Sequence, residues 1–318
     1  MTNDAVSNLR GAVSLFFYAV NTLFWVIPIF LLAVLKPALP QSAFRKFCDR
    51  ILTRCAENWI GCNNLNQDAF TDTTVRVFGM EKLDRRSWYL VVSNHQTWVD
   101  ILVLQRIFHR RIPFLKFFLK KELFWFPVLG QAWWALDFPF MKRYTRRFLE
   151  KNPHLRGQDL EVTRKACEKF KTIPVSVMNF VEGTRFTPKK HDRQGSPYRN
   201  LLKPRAGGIA FVIGAMGEYL DSMIDVTIAY PGGPQSFWDF LCGRIREIRV
   251  QVRALPISPA MLGDYFNDDA FRDAFQNWVN ALWEQKDQCV EALLSGAPGP
   301  GAETACPGLP SFCEPSES

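Results

Sequence analysis

The sequence predicts an α/β domain on a largely parallel sheet, joined at its N-terminal side to membrane-seeking helices. Three observations predict it. Short β-rich runs alternate with helical stretches from about residue 72 onward, the runs at Tyr89–Val92 and Pro174–Val181 read as buried strands ending in polar residues, and a long uncharged segment precedes them all. The chain has 318 residues, with Lys+Arg 39 against Asp+Glu 31 and a balance of +8. A length of this order fits one large or two modest domains and excludes small stapled scaffolds. Hydrophobic residues at 47% exclude a wholly disordered chain, and 27 Phe with 10 Trp suit lipid contact as well as a packed core. Eight Cys are spread along the chain without C-x-x-C pairs, which reads as reduced thiols in a cytosolic compartment. The basic excess admits nucleic acid, an anionic membrane surface or a phosphorylated substrate as partner.

From Ala12 to Leu35 no residue is charged. As a helix this run reaches about 36 Å at about 1.5 Å per residue, enough for a hydrocarbon core of about 30 Å. The apolar run exceeds the h-region of a signal peptide, and no small-x-small site follows before Lys36-Pro37. Asn21 and Pro28 inside it leave both a kinked span and a helix dipping into one leaflet open. Arg10 precedes the run while Lys36, Arg45, Lys46, Arg50 and Arg54 follow, which places the downstream side in the cytoplasm. Residues 41–60 set Phe44, Phe47, Cys48, Ile51, Leu52, Cys55 and Trp59 at helical spacing, with basic residues on the other faces. Residues 1–62 are therefore read as anchoring helices, 63–295 as the α/β domain and 296–318, rich in Pro and Gly, as a disordered tail. Strands are expected at Thr74–Phe78, Trp88–Ser93, Pro113–Phe118, Ala135–Phe140, Pro174–Val181, Asp225–Tyr230 and Ile245–Leu255. Helices are expected near 98–108, 158–171, 206–220 and 268–289.

Two constellations carry candidate chemistry. The first is Ser93-Asn94-His95-Gln96-Thr97-Trp98-Val99-Asp100, where a buried strand ends and a helix begins. In open α/β sheets such a crevice binds ligands. On one continuous helix His95 and Asp100 would be about 140° apart at about 100° per residue, so they meet only if His95 lies in the loop and Asp100 in the first turn. A carboxylate beside an imidazole fixes its tautomer and stabilises the imidazolium, which is what a general base acting on an alcohol requires. The plainer reading makes Asp100 a helix-capping residue and His95 a hydrogen-bonded loop histidine. No G-x-S-x-G elbow surrounds Ser93, and the four His show no H-x-x-x-H or H-E-x-x-H spacing, so neither a serine hydrolase nor a catalytic metal is expected.

The second constellation, Val177 to Lys190, again ends a buried strand in polar residues. Glu182 and Arg185 flank Gly183, which permits close backbone approach, and Thr184 and Arg185 offer donors suited to a phosphate. Further basic residues cluster at Lys142, Arg143, Arg146 and Arg147 and at Lys203 and Arg205, without a nucleic-acid motif beside them.

NHQTWVD followed about 85 residues later by FVEGTRFTPKK resembles the glycerolipid acyltransferases typified by 1-acyl-sn-glycerol-3-phosphate acyltransferase, whose blocks are N-H-x4-D and F-x-E-G-T-R. Lys120–Gly130 with Phe140-Met141-Lys142-Arg143 resembles the family's second block, and Asp225–Pro231 (DVTIAYP) its fourth; Leu202-Lys203-Pro204-Arg205 resembles the branch that includes lysocardiolipin acyltransferases. Val181 stands where many members have Pro, and Asp137-Phe138-Pro139 replaces a Gly-containing approach to the second block. The resemblance covers roughly residues 75–235 and implies a glycerolipid acyltransferase-like α/β fold. It implies that His95 deprotonates the free glycerol hydroxyl of a lysophospholipid, that Asp100 orients His95, and that the oxygen attacks an acyl thioester of coenzyme A or acyl carrier protein. Glu182, Gly183, Thr184 and Arg185, helped by Arg143, would then hold the acceptor's phosphate, with no cofactor or metal and no nucleic-acid partner. It further implies a bacterial inner-membrane location with the catalytic domain cytoplasmic. The alternative from another class is a non-catalytic, membrane-tethered module that binds anionic lipid.

Overall fold

The computed structural model describes residues 2–35, 42–80, 83–141 and 173–296, together with 165, 168, 170 and 312. Its strands are β1 (Thr74–Phe78), β2 (Tyr89–Ser93), β3 (Leu115–Phe117), β4 (Leu119–Lys120), β5 (Phe140–Met141), β6 (Ser176–Phe180), β7 (Ser222–Ala229) and β8 (Glu247–Leu255). Six of them form one sheet in the order β1-β8-β7-β2-β6-β3; β4 and β5 pair separately. Every neighbouring pair in the large sheet is parallel except β7 and β8. Side-chain alternation along β2 sets up the two layers. Leu90 and Val92 enter one hydrophobic cluster and Tyr89 and Val91 the other, so a strand apolar at successive positions is buried on both faces.

The helices are α1 (Thr2–Leu35), α2 (Ser42–Phe70), α3 (Val99–Phe108), α4 (Leu129–Ala135), α5 (Pro188–Gln194), α6 (Gly207–Met216), α7 (Phe237–Leu241) and α8 (Asp269–Ser295). Residues of α6 and α8, among them Ile209, Ile213, Phe275 and Trp283, fill the first cluster; Val103, Leu104 and Ile107 of α3 fill the second. Burying side chains of this size contributes about 1.5–3 kcal/mol each before conformational entropy is set against it.

The two N-terminal helices pack antiparallel along most of their length. Arg10 pairs with Asp72, Ser14 Oγ donates to Asn66, Asn21 Nδ2 donates to Asn63 and to the carbonyl of Trp59, and Ile29 and Ala33 cluster with Leu52 and Cys55. Asn21, a polar residue inside an apolar run, is thus satisfied by α2. The opposite side of α1 exposes Phe16, Phe24, Ile27, Phe30 and Leu31. Among the described residues α1 is the helix long and apolar enough to cross a membrane.

Three expectations need correction. The helix expected over 41–60 runs unbroken to Phe70, through the 62/63 boundary, because Ile60, Asn63, Asn66 and Gln67 are buried under α1 and the domain. The strand expected at Ala135–Phe140 is instead the end of α4, a turn with Asp137 at φ +57°, and the two-residue β5. β7 begins three residues earlier than expected, at Ser222, and ends at Ala229, leaving Tyr230 just beyond it. The helix expected at 158–171 lies largely outside the described residues, as does the 296–318 tail except for Gly296 and Phe312. Phe312 is buried against Phe271 and Phe275.

Candidate active site

His95 sits in the loop after β2, and Asp100 in the first turn of α3, as the spacing argument requires. His95 Nδ1 lies 2.8 Å from Asp100 Oδ2. The same oxygen accepts the backbone N–H groups of Gln96 at 2.6 Å and Thr97 at 3.0 Å. The carboxylate that fastens the backbone before α3 is thus the same one that holds the imidazole. Its other oxygen accepts the hydroxyl of Tyr230 at 2.6 Å, and Asp100 itself is 0% exposed. Burial, then the Asp100 charge and this hydrogen bond, push the Tyr230 phenol well above its ordinary range, so it keeps the proton it donates to Asp100. The imidazole stacks on Phe180 with ring centroids 3.9 Å apart. With Nδ1–H directed at Asp100, the lone pair is on Nε2, and among the described residues no group hydrogen-bonds it. His95 is 8% exposed, so a reacting hydroxyl can reach that nitrogen.

The backbone that carries His95 is fixed from three directions. Asn94 is buried at the end of β2; its Nδ2 donates to the Ile228 carbonyl and its Oδ1 accepts the Ile228 N–H, both at 2.9 Å. Glu182 Oε1 accepts the His95 N–H at 3.3 Å and Oε2 the Leu202 N–H at 3.2 Å. The Phe186 N–H donates to the His95 carbonyl at 2.7 Å. Glu182 is wholly buried, and burial pushes its carboxyl up to about 8, although the two backbone donors oppose the shift. Its place in the structure is beneath the His95 loop, where it joins three segments.

The anion-binding side is built on the loop that follows β6. Gly183 has φ +69°, a left-handed conformation that an L side chain would strain, and it turns the chain outward after Glu182. Lys190 Nζ donates to Thr184 Oγ1 and to the Arg185 carbonyl, each at 2.8 Å. The Arg185 guanidinium lies 4.5 Å from the centroid of the Trp98 ring, a cation–π contact. Lys190 is placed by the first turn of α5, for which Thr187 is the N-cap and Pro188 the first helical residue. Burial, then the nearby charges of Arg185 and Arg193, lower the Lys190 ammonium below its ordinary value. Thr184, Arg185 and Lys190 thus form a compact donor set suited to a phosphate. Arg143 lies outside the described residues.

Sequence reasoning missed Asn94, Lys190 and Tyr230 as contributors. Lys190 and Tyr230 lie in blocks read as family motifs, but no local pattern tells that Tyr230 meets Asp100. Beneath β7, Lys286 of α8 is fully buried, with Nζ 2.5 Å from Asp225 Oδ1, and Arg253 Nη2 lies 2.6 Å from Asp225 Oδ2. Burial pushes the Asp225 carboxyl up, and the two cations more than reverse this, leaving it below its ordinary value. Lys286 also donates to the Val226 carbonyl at 2.7 Å, tying α8 to β7, whose Ile228 bonds Asn94 and which Tyr230 follows.

Residues 74–230, which contain every group described above except Lys286 and Arg253, match the family model described as Acyltransferase. Human 1-acyl-sn-glycerol-3-phosphate acyltransferase gamma is 25% identical over 259 residues, 77% of this chain and 62% of that protein. Lysocardiolipin acyltransferase 1 of Gallus gallus is 25% identical over 221 residues, 65% of this chain and 54% of that protein. The chain thus spans about three fifths or less of these curated relatives. The crystal structure of the 1-acyl-sn-glycerophosphate acyltransferase PlsC from Thermotoga maritima aligns with a TM-score of 0.52 and 17% identity, covering 90% of this chain and 98% of that one. The fold is PlsC-like, the family model is that of an acyltransferase, and the similarity to glycerolipid acyltransferases is found among the curated relatives.

Proposed function

We propose that this protein is an O-acyltransferase that moves a fatty acyl group from an acyl thioester to the free glycerol hydroxyl of a lysophospholipid, with 1-acyl-sn-glycerol-3-phosphate as the acceptor. The observation that carries this reading is the His95–Asp100 pair at 2.8 Å, with Nε2 free of protein partners among the described residues at the carboxyl end of a buried strand. In the step, Nε2 takes the hydroxyl proton as the oxygen bonds to the thioester carbon. Collapse of the tetrahedral intermediate breaks the C–S bond, and the imidazolium returns the proton to the departing thiolate. The enzyme needs no covalent intermediate. Thr184, Arg185 and Lys190 support binding of the acceptor's phosphate, and Gly183 supports close approach of the backbone to it.

The N-terminal pair supports membrane attachment on one side of the bilayer. If α1 crossed the membrane, α2, paired with it from Asn66 to Leu52, would have to enter as well and carry the exposed Arg50 and Arg54 with it. An α1 lying in the cytoplasmic leaflet, its free apolar side toward the acyl chains, avoids that penalty. Carbonate or high-salt washing should then fail to release the full-length protein, and release by salt alone would show that the apolar side of α1 is not inserted.

The deciding experiment measures free thiol release from acyl-coenzyme A, and separately from acyl carrier protein, over a panel of lysophospholipid acceptors. Acceptor-dependent release is expected, greatest with the phosphate monoester. No release with any acceptor would return the chain to the non-catalytic lipid-binding reading.

A further inference from the structure

A basic pocket lies at the end of the sheet opposite to His95. It is an open depression lined by Met80, Leu83, Asp84, Arg85 and Arg86 ahead of β2 and by Arg110 and Arg111 ahead of β3. His95 follows the far end of β2, so five residues of strand, about 17 Å at about 3.3 Å per residue, separate the two places. The pocket is thus too distant to hold the phosphate of an acceptor whose hydroxyl is at His95.

Its arginines fall into two kinds. Arg85 and Arg110 are oriented by α2: Arg85 Nη2 reaches Glu57 Oε1 and Arg110 Nη2 reaches Asn58 Oδ1, both at 2.7 Å. Arg110 holds φ +58°, a conformation that residues with side chains seldom take, and it brings Arg110 and Arg111 onto the same pocket. Arg86 and Arg111 are exposed, and no hydrogen bond or ion pair of their guanidinium groups occurs among the described residues. Among the described residues, four guanidinium groups therefore face two carboxylates, Asp84 and Glu57. The Asp84 carboxylate is already engaged, accepting the Arg86 backbone N–H at 3.0 Å. The field of this cluster is felt nearby. The imidazole of His109, which contacts the Glu57 carbonyl at 2.9 Å, is held below its ordinary range by burial first and also by the charges of Arg110 and Arg85.

We propose that Arg85, Arg86, Arg110 and Arg111 form a second anion site, distinct from the acyl-transfer centre, that binds a phosphate group. The uncompensated charge matches a phosphate, and planar guanidinium forks are the side chains best suited to its oxygens. Met80 and Leu83 add an apolar side against which a glycerol backbone can rest. Among the described residues no aromatic ring lines the pocket, so a nucleotide base would find nothing there to stack on. The same chemistry is offered by the headgroup of an anionic phospholipid and by free phosphate, and α2, which orients two of the arginines, is the partner of the apolar α1.

The test uses the full-length protein and the double variant Arg86→Gln/Arg111→Gln, with Arg86→Lys/Arg111→Lys as a charge-retaining control. One arm titrates inorganic pyrophosphate calorimetrically; the other measures flotation with phosphatidylcholine vesicles with and without phosphatidylglycerol. Each lost arginine should weaken binding about fivefold, and the lysine control should retain part of the affinity. Acyl transfer to a detergent-dispersed acceptor should be unchanged, because neither side chain touches the centre at His95. Weakening in the vesicle arm alone identifies a lipid headgroup, weakening in the pyrophosphate arm alone a free phosphate, and weakening in both the shared group. Equal binding by wild type and the Gln variant in both arms overturns the site.

Discussion

The two halves of the candidate centre are built on opposite plans. His95, Asp100, Glu182 and Tyr230 are buried, and each oxygen of Asp100 and Glu182 is engaged by a named donor. Thr184 and Arg185 on a loop and Lys190 in the first turn of α5 lie partly exposed, and Arg185 rests on a Trp98 that is 51% exposed. Proton transfer depends on the placing of one nitrogen to within a fraction of an ångström, so that nitrogen is over-determined by a polar core. In the proposed reaction a charged headgroup reached from a bilayer needs long side chains that can follow it, and the exposed half carries them.

The largest effect should come from the rigid half. His95→Ala should lower turnover by about 10²–10⁴ while leaving the fold intact, measured by thiol release alongside circular dichroism. Retention of more than a tenth of the activity would remove His95 from the chemistry and the contrast with it. Tyr230→Phe deletes one hydroxyl from the far side of Asp100 at unchanged volume. It should reduce kcat about tenfold, the scale of a hydrogen bond to a charged group, with the acceptor KM unchanged. A raised acceptor KM at normal kcat would instead place Tyr230 with the recognition loop.

Smaller effects are expected outside the dyad. Arg185→Lys keeps the charge but loses the planar fork and much of the contact with Trp98, and should raise the acceptor KM about fivefold with little change in kcat. A change confined to the acyl donor would show that the exposed half reads the wrong substrate. For Glu182, burial raises the carboxyl from an ordinary 4.5 to about 8. Between those values the folded protein holds a proton that the unfolded chain has released, so stability falls as pH rises through that window. At about 1.4 kcal/mol for each pH unit between the two values, the loss across the whole window should be on the order of 5 kcal/mol. Urea unfolding at the two ends of the window should show wild type losing stability relative to Glu182→Gln. The opposite trend would mean that the two amides keep Glu182 ionised.

Much of this architecture was legible because it rests on short-range pattern. The run Tyr89–Val92 followed by polar residues and then apolar i, i+3, i+4 spacing forces strand, loop and helix, and that alone brings His95 to Asp100. Less legible were elements with weak periodicity. Residues 129–141 mix aromatic, small and β-prone side chains, so the helix Leu129–Ala135 was not expected and a strand was placed from its last residue onward. α5 is polar on every face and only seven residues long, and its Thr187-Pro188 cap was passed over within a motif.

What the sequence determined by itself is therefore the set of local commitments: a sheet of buried strands, a dyad at one strand end, a phosphate-suited loop at another and an apolar first helix. Only the tertiary structure decided which of these groups face substrate and which face each other. Tyr230 lies 130 residues from Asp100 and reaches it because β7 pairs in parallel with β2. Glu182, read from its motif as a phosphate partner, is turned inward by the left-handed Gly183 and bonded to backbone donors from two other loops. The physical reason is the range of the forces involved. Periodicity and turn chemistry act over a few residues and are written in order along the chain, whereas the demand that each buried polar atom find a partner is met by whatever the fold brings near.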